Sequence, residues 1–160
     1  MNPRIEIVDY HPRYTEQTIE MWRLSKEKAL GIPEMHDLDA HRYYLNRILA
    51  ATNRIYLGIE RRTGRVLGMI AADGEFITQL YVAPGSQRMG IGSLLVQLIK
   101  DTSLGDLKLY TFKINHGART FWQKHGFVEC QVGQHHNEEG LVDILCEWRN
   151  ATAYSHISYA

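Results

Sequence analysis

The stretch from residue 75 to residue 100 constrains this chain more than any other. Glu75–Val82 (EFITQLYV) is rich in apolar and β-branched residues and predicts a strand, which Ala83-Pro84-Gly85 stops. Gly90–Lys100 places Ile91, Leu94, Leu95, Leu98 and Ile99 on one helical face. Between them lies Gln87-Arg88-Met89-Gly90-Ile91-Gly92-Ser93. A helix that begins at Gly90 leaves its first N–H groups without intrahelical partners, and the helix dipole adds partial positive charge there. Gly90 and Gly92 carry no Cβ to hold an anion off that backbone, and Gln87 and Arg88 add side-chain donors. The pattern points to a phosphate or pyrophosphate site.

Two familiar phosphate loops do not fit it. Gly85 to Gly90 has the glycine spacing of a P-loop, but Ile91 and Gly92 stand where its lysine and hydroxyl belong. A dinucleotide fingerprint starting at Gly90 requires glycine at position 95, which is Leu95.

The rest of the chain builds one layered domain around this segment. Arg4–Val8 predicts a strand and Tyr14–Leu30 a helix with the stripe Ile19, Trp22, Lys26 and Ala29, ended by Gly31-Ile32-Pro33. Asp37 or Asp39 caps a second helix, with Tyr44, Leu45, Ile48 and Leu49 as one buried stripe. Arg54–Glu60 and Arg65–Ala72 predict strands about the Arg61-Arg62-Thr63-Gly64 turn, and Leu107–Phe112 another. Asn115–His125 predicts a helix stopped by Gly126; Phe127–Val132 and Leu141–Trp148 predict a closing hairpin. The expected class is α/β (α+β): a single mixed, mostly antiparallel sheet of about seven strands with helices on both faces. Residues 1–149 form the domain and 150–160 a tail.

Composition removes several alternatives. Lys and Arg number 18 against 18 Asp and Glu, so the formal net charge is zero. A general nucleic-acid binder needs a basic surplus to release counterions, and none is present. Cys130 and Cys146 are too few for a disulfide framework and are expected as reduced core residues. No apolar run approaches the length of a membrane span, and the start lacks a signal segment, so no membrane partner and a cytoplasmic location are expected. His135-His136 lacks the spacing and ligand company of a metal site, so no metal is expected, and Glu138-Glu139 reads as a solvated turn.

The Gln87-x-x-Gly90-x-Gly92 loop after Leu80-Tyr81-Val82 resembles motif A of the GCN5-related N-acetyltransferases (GNAT). The segment Asn115-x-x-Ala118-x-x-Phe121-Trp122-x-x-x-Gly126-Phe127 is similar to a second block of that family, and the element order matches it from Ile5 to Trp148. The resemblance implies the acetyltransferase fold with acetyl-CoA as co-substrate and no metal. It implies that the fourth and fifth strands splay apart and that the backbones of Leu80 and Val82 pair with the pantetheine arm. It further implies that amides from Arg88 through Met89, Gly90, Ile91 and Gly92 to Ser93 hold the pyrophosphate, and that a main-chain N–H near Val82 polarises the acyl carbonyl. It implies Asn115 at the end of the fifth strand, within reach of the arm or of an ordered water; Phe121 and Trp122 are expected in the core, with an edge of the acyl site as the alternative for Trp122.

Here the chain departs from the family. Trp122 stands where a tyrosine often serves as general acid, and Phe76 and Thr78 stand where some members carry a base. His36, Tyr81 and Asn115 are the candidate catalytic residues, the last two through an ordered water. Two functions remain open. One is direct acetyl transfer from acetyl-CoA to a primary amine of a small molecule or a free amino group, with a homodimer as a possible assembly. The other is an acyl-CoA-binding or sensing module without turnover.

Overall fold

The computed structural model describes residues 4–133 and 136–152. All seven expected strands form. β1 (Ile5–Asp9), β2 (Arg54–Glu60), β3 (Val66–Ala72) and β4 (Ile77–Val82) make an antiparallel sheet in the order β1-β2-β3-β4. β5 (Leu107–Phe112), β6 (Val128–Val132) and β7 (Asp143–Trp148) make a second, in the order β5-β7-β6. Among the described residues the two sheets join at one parallel bridge, Phe76 to Lys108, where the Lys108 N–H donates to the Glu75 carbonyl at 2.9 Å. The expected single sheet is therefore divided: its strands are right, but the ladder between β4 and β5 closes only at its first rung.

Helices cover both faces. On one lie α1 (Thr15–Leu30) and α2 (Leu38–Tyr43), the latter continuing through a π-helical stretch, Tyr44–Leu49, into the short α3 (Ala50–Thr52). Gly31 at φ +69° ends α1, and the Asp37 carboxylate, not that of Asp39, caps α2 by accepting from the Ala40 N–H. Ile19, Trp22, Leu45 and Leu49 pack there against Leu57 and Met69. On the other face α4 (Ile91–Thr102) and α5 (His116–Lys124) set Ile91, Leu95, Val96, Ile99 and Trp122 against Leu67, Ile70 and Leu109. Because β3 serves both cores, all seven of its residues are buried.

Three expectations change at this level. Tyr44 and Ile48 are exposed rather than buried with Leu45 and Leu49, because the π-helical stretch turns them toward an open cavity. Cys146 is buried, but Cys130 is exposed on β6; both are free thiols. Asn150, assigned to the tail, is buried: its N–H donates to Asp106 and its side-chain amide to the Ser103 carbonyl. The tail from residue 153 and His135 lie outside the described residues. No helix among the described residues is long and apolar enough to cross a membrane.

Helix α4 is seated by two glycines that face each other across β2 and β3, Gly58 and Gly68. A Cβ on either would lie 2.9 or 2.7 Å from Ile91 Cγ2, so the missing side chains leave a dent that takes the first residue of α4. Gly68→Ala is expected to cost about 1–3 kcal/mol by overpacking. Ile91→Ala should cost about 2–5 kcal/mol by leaving a cavity. The double variant should lose at least about 1 kcal/mol less than the sum, because each change relieves the other. Urea unfolding of the four proteins measures that coupling.

Candidate active site

After β4 the chain makes two tight turns. The Ser86 N–H donates to the Ala83 carbonyl at 2.9 Å and the Met89 N–H to the Ser86 carbonyl at 3.2 Å. Gly90 then takes φ +75°, a left-handed conformation that favours glycine, and no side chain caps α4. The Leu94 N–H donates to the Gly90 carbonyl at 3.1 Å, so the amides of Ile91, Gly92 and Ser93 precede the helical ladder. A Cβ on Gly90 would meet nothing within 4 Å: space lies beside these amides.

Gly92 has a different role from the expected one. Its Cβ would sit 3.2 and 3.3 Å from the Phe121 ring and 3.6 Å from Val82, so its missing side chain admits α5 rather than an anion. Met89 also leaves the expected donor set, since its N–H is spent inside the turn. Ile91 contributes backbone alone because its side chain is fully buried. Gln87, Arg88 and Ser93 are exposed beside the loop.

Hydrogen-bond alternation shows which way the β4 backbone faces. The Ala83 N–H donates to the Leu67 carbonyl at 2.7 Å, and β4 runs against β3 in a register that pairs Val82 with Gly68 and Leu80 with Ile70. Bonded and non-bonded pairs alternate in an antiparallel ladder, so the polar groups of Val82 and Leu80 point away from β3 into the gap before β5. That gap is a slot of about 120 Å³, lined by Leu80, Tyr110, Asn115 and Trp122 among others. Asn115 caps α5, its Oδ1 accepting from the Ala118 N–H at 3.1 Å, which commits the oxygen and leaves the NH₂ as its donor. Trp122 is core and wall together, 7 % exposed, with the Phe121 and Phe127 rings edge-on at 5.1 Å.

The slot opens into a cavity of about 610 Å³ between α1, α2 and the β6–β7 connection. Lys26, Thr78, Gln79, Tyr81 and Tyr110 line both spaces. Tyr81 stacks on Trp22 at 5.1 Å, and burial pushes its phenol pKa up against the opposing hydrogen bond from Trp22. His41 stands edge-on to Trp22 at 4.5 Å. Burial drives its pKa down to about 4, Arg23, Lys26 and His36 acting in the same direction and Glu34 against it, so it is neutral at pH 7.

Carboxylates dominate the cavity's charge: Glu34, Glu138, Glu139 and Asp143 face it with Lys26. Lys26 Nζ lies 2.8 Å from Glu139 and 3.8 Å from Glu34, all three side chains nearly buried. Burial opposes ionisation of Glu34, but Lys26, the His36 N–H, His41 and Arg23 outweigh it and hold the carboxyl below its usual range. His36 Nε2 meets Glu138 at 2.9 Å on the half-exposed rim. The expected solvated turn at Glu138-Glu139 is thus half wrong, since Glu139 is drawn into an ion pair across the cavity. Of the predicted residues, the structure brings His36 and Tyr81 into one cavity and sets Asn115 in the adjoining slot. Lys26, Glu34, Tyr110 and Asp143 were missed; only Lys26 left a signal, as a charge within the apolar stripe of α1.

The Acetyltransferase (GNAT) family profile matches residues 15–127. The chain belongs to this family. A GCN5-related N-acetyltransferase structure from Rhodopseudomonas palustris superposes with a TM-score of 0.74 at 16 % identity, over 93 % of this chain and 98 % of that one. The PaiA N-acetyltransferase of Thermoplasma acidophilum, solved with coenzyme A, gives 0.68 at 19 % identity over 91 % and 98 %. The peptidyl-lysine N-acetyltransferase YiaC of Escherichia coli K12 is 34 % identical over 70 residues, 42 % of this chain. That alignment spans about half of YiaC, 47 %. The GNAT family uses acetyl-CoA, and the residues here fit it: uncapped amides beside open space for a diphosphate, and outward strand groups along a slot for the arm.

The two glycines should separate by experiment. A ligand at 100 times its Kd stabilises a protein by about 2.7 kcal/mol. Gly90→Val should abolish that gain from CoA while costing about 1–2 kcal/mol of intrinsic stability through its left-handed φ. Gly92→Val should cost about 1–3 kcal/mol before any ligand is added, by collision with Phe121. Thermal shift with and without CoA checks both.

His41 makes a separate prediction. Its folded pKa lies below its unfolded value, so between pH 6.5 and 4 the unfolded chain binds more protons and acid destabilises the fold. The contribution is intact above pH 6.5 and falls by about 3 kcal/mol by pH 4. His41→Phe, which keeps a ring against Trp22, should lose that much less stability over the same range in urea titrations.

Proposed function

We propose that this chain transfers the acetyl group of acetyl-CoA to a primary amine of a small molecule, by direct attack in a ternary complex. The observation that carries this is the shared wall of slot and cavity at Thr78, Gln79, Tyr81 and Tyr110, where a thioester from one side and an amine from the other would meet. Neither Cys130 nor Cys146 lines either space, which favours direct attack over an acyl-cysteine intermediate. A cavity of about 610 Å³ is sized for a small molecule.

Acetyl-CoA supplies the activated carbonyl. When it is bound, the Ile91, Gly92 and Ser93 amides would hold its diphosphate, the outward groups of Leu80 and the Val82 carbonyl would hold the arm, and the Val82 N–H would face the acyl oxygen. As the C–N bond forms the C–S bond breaks, and CoA leaves as the thiolate, protonated by solvent. The acceptor must arrive as an ammonium and react as an amine, because a protonated nitrogen has no lone pair to attack with. Glu34, Glu138, Glu139 and Asp143 outnumber Lys26 in the cavity and attract the cation. His36, supported by Glu138, or a water held by Tyr81 or the Asn115 NH₂, takes the proton. His41 is a poor base because its proton affinity is too low. The peptidyl-lysine named for YiaC also presents a primary amine.

The non-catalytic CoA-binding alternative keeps one supporting observation: Trp122, an indole without an exchangeable acid, occupies the family's tyrosine position. Thiol release from acetyl-CoA, measured across a panel of amines, diamines and lysine peptides, decides between them. Acceptor-dependent release is expected, and Glu138→Gln should raise the acceptor KM about tenfold, the equivalent of 1.4 kcal/mol, without changing that of acetyl-CoA. Tight CoA binding with no release above the amine-free background would overturn the transferase in favour of the binding module.

A further inference from the structure

His125 lies beside the phosphate loop, and neither the loop motif nor the fold explains it. Without a Cβ, Gly92 lets the Phe121 ring press on the first turn of α4. One helical turn later the His125 ring packs on the same phenyl, 4.5 Å between centroids, and sets Nε2 3.0 Å from Ser93 Oγ. Its backbone is pinned: the N–H donates to the Phe121 and Trp122 carbonyls, and the carbonyl accepts from Lys100 Nζ. Ser93 is exposed and belongs to the three-amide turn that precedes the α4 ladder. A titratable ring is therefore held at fixed distance from a hydroxyl of the anion site.

We infer that His125 is a positioning residue for the CoA diphosphate, turning the Ser93 hydroxyl toward a phosphate oxygen and taking up a proton from solvent as the diphosphate binds. This rests on the proposed role of the α4 N-terminus. A neutral ring with a bare Nε2 accepts the Ser93 O–H and turns it from the ligand. Once both ring nitrogens carry protons, Nε2–H donates to Ser93 Oγ, and the O–H is released to the phosphate. The charged groups facing the ring are Lys100 from α4 and Lys124 from its own helix. Burial first, and then these two cations, disfavour its charged form in the ligand-free protein. A diphosphate docked at the first turn of α4 supplies the missing counter-charge.

Dephospho-CoA is the suitable probe, because it lacks the phosphate monoester and its diphosphate does not titrate between pH 5.5 and 8. Calorimetry in two buffers of different ionisation heat yields both Kd and the protons taken up. The wild-type protein is expected to bind about fivefold more tightly at pH 5.5 than at pH 8, with proton uptake near neutrality. His125→Gln, which still donates to Ser93 but cannot charge, should lose the pH slope and bind at least as tightly as wild type at pH 8. Ser93→Ala should bind several-fold more weakly at pH 5.5, approach wild type at pH 8, and keep proton uptake. A wild-type pH slope in His125→Gln, absence of uptake in the wild type, or full affinity of Ser93→Ala at pH 5.5 each overturns the inference while leaving the diphosphate site intact. Failure of the wild type to bind dephospho-CoA at any pH overturns the diphosphate site itself, and the inference with it.

Discussion

The incomplete pairing of β4 with β5 is the constraint on which the slot and the proposed function depend. The two strands share one rung at Phe76 and Lys108 and then diverge. Unpaired backbone groups are costly when buried, so the outward N–H and C=O of Leu80 and Val82 must face water or a ligand of extended shape. The same divergence opens the slot and exposes its walls to the neighbouring cavity. Had the ladder continued, the molecule would keep both hydrophobic cores and lose the slot.

Glycines then fit the phosphate helix to this opening, each by a different means. Gly58 and Gly68 let α4 settle on the sheet through Ile91. Gly90 turns the chain through a left-handed conformation and keeps space beside the first amides. Gly92 admits the Phe121 ring and with it the end of α5. The loop is thus held from below by the sheet and from the side by a helix. Amides held in this way would take the diphosphate of the proposed co-substrate at a low entropic cost.

What could be read in the sequence is what local patterning specifies. Strand alternation, the apolar stripe of α4 and the Gly31 and Asp37 caps depend on near neighbours, and these elements formed where expected. The motif glycines were visible, yet the reason for Gly92 was not, because Phe121 is distant in sequence and meets it only in the fold. Tyr44 and Ile48 misled for a related cause. A helical stripe marks a surface that avoids water, and a cavity that awaits an apolar wall is such a surface as much as a core is. The division of the sheet was invisible to periodicity, which reports how each strand alternates and not how far its ladder extends.

The acceptor cavity was the least legible part, since its charges come from four separate places: Lys26 on α1, Glu34 and His36 before α2, Glu138 and Glu139 in the final hairpin, and Asp143 at the start of β7. Lys26–Glu139 ties α1 to the hairpin, and His36–Glu138 ties the connection before α2 to it. Their value to stability is modest where they are exposed, as at His36. Their effect on chemistry is larger. Lys26 with Glu34 and Glu139 leaves one net negative charge, and Asp143 adds another, in a space walled by Trp22, Tyr81 and Tyr110. A field of that sign concentrates ammonium ions yet opposes their deprotonation, so an amine entering here is drawn in by the charge that delays its attack. In the proposed transfer the proton would therefore pass to His36 on the rim, or to a water held by Tyr81 or Asn115 at the slot end, and not to the carboxylates that attract the cation.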